Sequence, residues 1–369
     1  MKTGFVWEES FMWHDTGSAA AFLPARGPIQ PDTHAENPQT KRRLRNILEV
    51  SGLLEELESI DARAATQEEL RRYHTSEYID EIREMSEESG GDAGELTPFG
   101  PGSFEIAKLA AGGIIEATDA VLNGTVDNAY ALVRPPGHHA EADEGRGFCI
   151  FSNVALAAMH ARQERSVDRI AVVDFDVHHG NGTEKAFIDD SNVLTISIHQ
   201  DNFYPAGEGK VEDVGEGDGR GYTLNLPLPP GSGVGAYEEA FEQLVQPALS
   251  AFDPDLIYLA SGFDGSALDP LGRMMLHSEG YRRLTQILLD SADDHCDGRL
   301  VATHEGGYST AYVPFAGLAT IEEMSGKSSD VEDPFLDTLT EFGYQDLQPH
   351  QKDVIDAAAE NLNIALVDN

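Results

Sequence analysis

Residues 170–183 read Ile-Ala-Val-Val-Asp-Phe-Asp-Val-His-His-Gly-Asn-Gly-Thr. Residues 170–173 make an apolar run of buried-strand size, and it ends on a burst of carboxylates and imidazoles. Three other segments repeat that form. Residues 130–133 run into RPPGHHA (134–140), residues 256–260 into SGFDGSALDP (261–270), and residues 300–302 into THEGGYS (303–309). Residues 193–198 and 222–226 complete the strand candidates, and helical patterns fall at 153–165, 235–250 and 278–293. Alternation of this kind implies crossover units, hence an α/β domain with a mainly parallel central sheet flanked by helices. Ligands of such sheets gather beyond the carboxyl ends of the strands. Four strands therefore deliver unusual chemistry to one edge.

Outward from this core, the first part of the chain reads as helical. Leu44, Ile47 and Leu48 form a stripe that follows Pro38 and stops near Gly52, and a longer stripe from Phe104 to Leu122 is closed by Asn123-Gly124. The expected organisation is one domain over 1–369. It has a helical N-terminal part at 37–125, a catalytic core at 126–325, a linker-like stretch at 326–336 and a C-terminal helical appendage at 337–369.

Composition narrows the function. The 369 residues carry 65 acidic and 25 basic side chains, a formal charge of −40, with a pI near 4.4 and a mean hydropathy of −0.33. With 40% hydrophobic residues a large core is available. No basic patch could outweigh that negative field, which argues against direct binding to nucleic acid or to an anionic membrane. The carboxylates are spread along the chain and lysines number only seven, as suits a halophilic, acidic proteome in a salt-rich cytoplasm. Cys149 and Cys296 cannot build a disulfide framework. MKTGFVWEES opens without an apolar run, and the longest apolar stretches are strand-sized, so the expectation is a soluble cytoplasmic protein with no membrane partner. A homo-oligomer is compatible with this.

Asp174, Asp176 and His178 fall on alternate positions, which in an extended segment point one way. Asp264 arrives from another strand end. Asp176, His178 and Asp264 then make an open three-ligand zinc site of zero net charge. A lone strand-end Asp is as often just a helix-capping residue, but four polar strand ends converging on one edge tell against that. His138-His139 and His178-His179 hold four of the 13 histidines. Pro135-Pro136 forces an extended, sharply turned backbone that presents two adjacent imidazoles, and imidazole is the natural general base near neutral pH. Asp174 and Asn181 are available to orient them. In Glu305-Gly306-Gly307-Tyr308 the glycines permit close backbone approach to a ligand, and the phenol can donate to an oxyanion.

Together RPPGHH, DFDVHHGNGT, SGFD with DPL, and EGGY resemble the histone deacetylase family, in that family's order, over about residues 130 to 310. Asn181 after HHG and Glu305 before GGY look class II-like. WHDTG, HAENPQTKRR, GFCIFSNVALAA, LTISIHQ and LPLPPGSG extend the likeness to the prokaryotic histone deacetylase-like amidohydrolases, relatives of acetylpolyamine amidohydrolases. The resemblance implies the arginase/deacetylase fold and one catalytic zinc on Asp176, His178 and Asp264. It implies His138 and His139 as the catalytic pair, with His139 the base, Asp174 orienting His138, Asn181 beside His139, and Tyr308 polarising the acyl carbonyl. It implies an acyl-lysine tunnel walled by Gly147, Phe148 and Tyr204, the last replacing a usual Phe, with Leu271 as gatekeeper. It also implies structural potassium, around Asp174 and Ser197 and again near Phe187, Val193 and Tyr222. The implied reaction is zinc-assisted hydrolysis of N-acyl-lysine to acetate and free amine. Three alternatives stand beside it: an acetylpolyamine amidohydrolase, a binuclear-manganese ureohydrolase, which needs further bridging carboxylates, and a non-catalytic acyl-lysine binder, which would lack a ligand or the tyrosine.

Overall fold

The computed structural model describes residues 1–363. Its centre is one eight-stranded sheet. In chain order the strands are β1 (Thr3–Val6), β2 (Glu58–Ile60), β3 (Asn128–Ala131), β4 (Ile170–Asp174), β5 (Val193–Gln200), β6 (Thr223–Leu228), β7 (Leu256–Ser261) and β8 (Leu300–His304). Their order across the sheet is β6-β5-β4-β7-β8-β3-β1-β2, and every pairing is parallel. The longer helices are α1 (Gln39–Val50), α2 (Ser76–Glu88), α3 (Ser103–Leu122), α4 (Asn153–Arg165), α5 (Asn181–Phe187), α6 (Val234–Ala240), α7 (Ser278–Cys296), α8 (Val313–Ser325) and α9 (Pro349–Glu360). A π-helical turn, Phe241–Val245, prolongs α6 into Gln246–Phe252.

Both faces of the sheet are covered, and the strands show why they are apolar throughout. Ala171 and Val173 join one core with Leu44 of α1, Leu284 of α7 and Ile321 of α8. Ile170 and Val172 join a second core with Ile114 of α3 and Val154 of α4. Successive strand residues thus serve opposite layers. The main strands end where the polar bursts begin, at Asp174, Ser261 and His304. No helix among the described residues is long and apolar enough to cross a membrane.

Several expectations differ in detail. β2 lies in the part read as helical and β1 precedes it; both are short, and Glu58–Ile60 carries a single apolar residue, so neither shows a strand pattern. β3 stops at Ala131, and Leu132 and Val133 lead irregularly into the histidine turn. The stretch 326–336 is not a free linker. Asp333 accepts hydrogen bonds from the hydroxyls of Ser278 (2.6 Å) and Tyr312 (2.8 Å), and Val331 and Phe335 pack on the core. α9 docks through buried Ile355 and Ala358, while residues 364–369 of the expected appendage lie outside the described residues.

A buried ionic cluster ties the N-terminal loop to the histidine turn. Arg134 Nε donates to both carboxylate oxygens of Glu36, at 2.8 and 3.0 Å, and Lys41 Nζ lies 3.2 Å from Glu36 Oε1. All three side chains are at most 1% exposed. Arg134 Nη1 also donates to the carbonyl of His14 (2.5 Å). The residue that opens RPPGHH is therefore pinned from a segment about a hundred positions away.

Candidate active site

Beyond β4 the chain does not stay extended. Asp174 Oδ1 accepts the N–H of Asp176 (3.0 Å), and Asp176 Oδ1 accepts the N–H of His178 (2.9 Å). These two local side-chain-to-backbone bonds bend the segment. The expected one-sided alternation is thereby broken: Asp174 turns to His138, whereas Asp176 and His178 face Asp264. His178 Nδ1 lies 3.1 Å from Asp176 Oδ1 and 3.1 Å from Asp264 Oδ2. One donor atom from each of the three buried residues falls within 4.8 Å of the others. Backbone N–H groups aim the carboxylates, Gly306 to Asp176 Oδ2 (2.7 Å) and Val177 to Asp264 Oδ1 (2.8 Å). Position 306 must be glycine, since a Cβ there would sit 2.1 Å from Asp264 Oδ2 and 2.6 Å from Asp176 Oδ2.

The two carboxylates dominate the electrostatics of this group. Burial by itself would lower the pKa of His178, but the carboxylates of Asp264 and Asp176 outweigh it and raise it to about 10. Burial and the charge of Asp176 push Asp264 up to about 6. Two carboxylates and one imidazole nitrogen form a donor set that a borderline divalent metal accepts, so the residues fit the metal that the sequence implies.

Two imidazoles stand beside it in different states. His138 Nδ1 meets Asp174 Oδ2 at 2.8 Å, and His139 Nδ1 meets Asn181 Oδ1 at 2.8 Å. Asn181 Nδ2 donates to the His139 carbonyl (3.2 Å) and to Glu141 Oε1 (2.8 Å), which fixes Oδ1 as the atom facing His139. An amide oxygen only accepts, so His139 carries its hydrogen on Nδ1 and leaves the lone pair on Nε2. Burial, with His138 and His178 nearby, drives His139 well below the usual imidazole range. Burial opposes a charge on His138 too, but Asp174 and Asp176 outweigh it and raise it to about 10. Glu305 Oε2 accepts the N–H groups of Gly137 (2.7 Å) and His138 (3.1 Å), holding the turn. Burial pushes that carboxyl up to about 7. Glu305 forms a second close group with His138 and Cys149, which shares His138 and so belongs to the same site.

A cavity of about 180 Å³ reaches this centre, with His139, His178 and Tyr308 on its lining. Phe148 meets the Tyr308 ring edge-on at 5.8 Å, and Tyr204 meets His139 edge-on at 4.9 Å. Gly147 holds φ +50°, and a Cβ there would be 2.4 Å from His139 Cδ2. Leu271 lines the same space. Three lining residues escaped the sequence reading. Phe203 stacks on His178 at 5.5 Å, and its place next to Tyr204 was a usable signal. Phe22, at the tip of a hairpin between Ser18–Ala20 and Leu23–Pro24, and Leu96 come from distant loops that carry no pattern. Asp269 escaped as well: it accepts backbone N–H groups from Leu271, Tyr308 and Ser309.

The residues assigned to potassium fall at two ends of the sheet. Asp174 and Ser197 are register partners on β4 and β5 and line a cavity of about 10 Å³ with Glu184 and Asn225. Phe187 closes α5, Val193 opens β5 and Tyr222 immediately precedes β6, at the opposite end of the strands.

Known proteins resemble this chain over most of its length. The histone deacetylase domain matches residues 34–324. The chain is 50% identical to a histone deacetylase-like amidohydrolase of Pseudomonas aeruginosa, over 92% of this chain and 90% of that one. It is 37% identical to a probable deacetylase of Archaeoglobus fulgidus, over 88% and 87%. It is 39% identical to the human polyamine deacetylase HDAC10, over 80% of this chain and 45% of that one. The crystal structure of the HDA15 HD domain superimposes with a TM-score of 0.81 at 33% identity, covering 98% and 97%. The buried carboxylate–imidazole cluster at the strand ends, the tunnel that reaches it and the sequence likeness lead to one conclusion: the chain belongs to the histone deacetylase family.

Proposed function

We propose that the protein is a zinc-dependent hydrolase that cleaves N-acyl-lysine amides, releasing the carboxylate and the free amine. The carrying observation is the tautomer of His139, whose Nε2 lone pair is kept neutral beside Asp176, His178 and Asp264 at the end of an apolar tunnel. Zinc held by those three residues would supply Lewis acidity, polarising the acyl carbonyl and acidifying water. His139 Nε2 takes the proton of the attacking water. The Tyr308 hydroxyl, kept protonated because burial raises its pKa, donates to the carbonyl oxygen as negative charge develops there. The imidazole pair then returns a proton to the leaving amine nitrogen. His138, bound to Asp174, supports a positive charge that would otherwise be costly in this buried place.

The test is metal content together with turnover of an acetyl-lysine peptide. One zinc per active chain is expected, and Asp264→Ala should lose both metal and activity. Two manganese ions in the active protein, with no activity on zinc, would overturn the reading in favour of a ureohydrolase.

A second reading, an acetylpolyamine amidohydrolase, draws support from the likeness to a human polyamine deacetylase. Leu271 favours the first. Its side chain lines the tunnel, where it offers apolar contact to a lysine stem and no carboxylate to a secondary ammonium. Potassium between Asp174 and Ser197 is proposed from the family likeness alone.

A further inference from the structure

Asp269 lies in the loop after β7, 7% exposed, and it spends its whole carboxylate on backbone. Oδ1 accepts the N–H of Leu271 at 2.8 Å. Oδ2 accepts the N–H of Tyr308 at 2.7 Å and that of Ser309 at 3.0 Å. One side chain therefore clasps two loops, the one that carries the tunnel wall Leu271 and the one that carries the Tyr308 hydroxyl. Three backbone N–H groups thus find their acceptors on this one buried side chain.

The sequence before Tyr308 makes this clasp consequential. Gly306 is held from the metal side, through its N–H to Asp176 Oδ2 (2.7 Å) and its carbonyl to the N–H of Phe263 (3.0 Å). Gly307 then adopts φ +123°, open to glycine and strained for other residues. A chain with no Cβ at two successive positions does little to fix the next side chain by itself. Downstream of Gly307, Asp269 Oδ2 holds the N–H groups of Tyr308 and Ser309, at the point where the Tyr308 ring leaves the backbone to meet Phe148.

We propose that Asp269 is a positioning residue for amide hydrolysis, holding the Tyr308 hydroxyl and the Leu271 wall in one fixed relation to the reacting carbonyl. This rests on the hydrolytic reading of the site. It assigns Asp269 no contact with substrate; its effect passes through Tyr308.

A double-mutant cycle on the purified, metal-loaded full chain tests it, with an acetyl-lysine peptide as substrate and Asp269→Asn, Tyr308→Phe and their combination as variants. A displacement of the phenol should lower kcat about 10- to 100-fold in Asp269→Asn while KM changes less than about threefold. In the Tyr308→Phe background the same substitution should cost less than about threefold, because the group it positions is already gone. Asp269→Glu, which keeps the carboxyl group but moves it by one methylene, should behave as Asp269→Asn does. Additive losses, an unchanged kcat, or loss of the fold in both Asp269 variants would each overturn the inference, the last by making the carboxylate a structural element. If Tyr308→Phe alone leaves kcat intact, the hydrolytic reading falls and this inference with it. A large Tyr308 effect with additive Asp269 losses sinks only the inference.

Discussion

His138 and His139 are chain neighbours with ring centroids 4.0 Å apart, yet their surroundings push their pKa values in opposite directions. Burial and the neighbouring imidazoles lower His139, whereas the carboxylates beside His138 outweigh burial there. His138 faces the carboxylate of Asp174, which supports a positive charge, and His139 faces the amide oxygen of Asn181, which orients the ring without charging it. Two titratable groups pushed apart by their surroundings divide base from charge-bearing roles.

Asn181→Asp tests that division. A carboxylate against Nδ1 of His139 favours the imidazolium, so its pKa must rise and the neutral base must be lost at higher pH. The acid limb of the kcat/KM profile should therefore move upward. An unmoved limb would show that another group is the base.

Tyr308→Phe should lower kcat by roughly 10²–10³ and leave the bound metal in place, the loss expected for one oxyanion donor. Elemental analysis and steady-state kinetics on the same sample separate the two quantities. A variant that keeps most of its kcat would put the phenol outside the chemistry.

Wild-type kcat/KM in high salt should be greater for an acetyl-lysine peptide than for acetylspermidine, and Leu271→Glu should narrow or reverse that gap. The charge of −40 draws polyamines toward the protein, but it acts on encounter and is screened by salt. A tenfold wild-type preference for the acetylpolyamine would refute the gatekeeper argument and point instead to Phe22 and its hairpin.

Glu36 gives a pH-dependent stability. Burial would raise its pKa, but Arg134 and Lys41 outweigh burial and hold it far below the usual 4.5. A group with a depressed folded pKa stabilises above its unfolded value and loses that contribution as pH falls through and below it. Breaking such a buried pair costs about 3–5 kcal/mol. Glu36→Gln should thus unfold well below the wild type at pH 7, and the gap in Tm should shrink as pH drops below about 4.5. A gap that stays constant down to pH 3 would contradict this.

Added KCl should raise Tm from low to molar concentration. Sixty-five acidic against 25 basic side chains leave the folded surface in self-repulsion, which screening relieves. A Tm independent of salt would mean that the carboxylates are already compensated locally.

The sequence by itself determined the architecture's centre and the chemical inventory. Apolar runs of strand length, each ending in polar residues and alternating with helical stripes, require a doubly covered parallel sheet, because only such a sheet buries both faces of every strand. The same runs placed Asp176, His178, Asp264, the His138-His139 pair and Tyr308 at one edge. Local pattern did not reveal β1 or the edge strand β2 beyond it, which are too short to show a periodicity. It also missed the bend after Asp174, where Asp side chains compete for the backbone and break the one-sided alternation, although the pairing of Asp174 with His138 is the one the resemblance implied. Only the tertiary structure decided which groups face each other across long chain separations. Glu36 clamps Arg134, Phe22 and Leu96 reach the tunnel, and Asp269 ties Leu271 to Tyr308. Each of these is a single side chain on an irregular loop, and a lone polar or aromatic residue there carries no periodicity. Its role is set by distances that exist only once the sheet has brought its strand ends together.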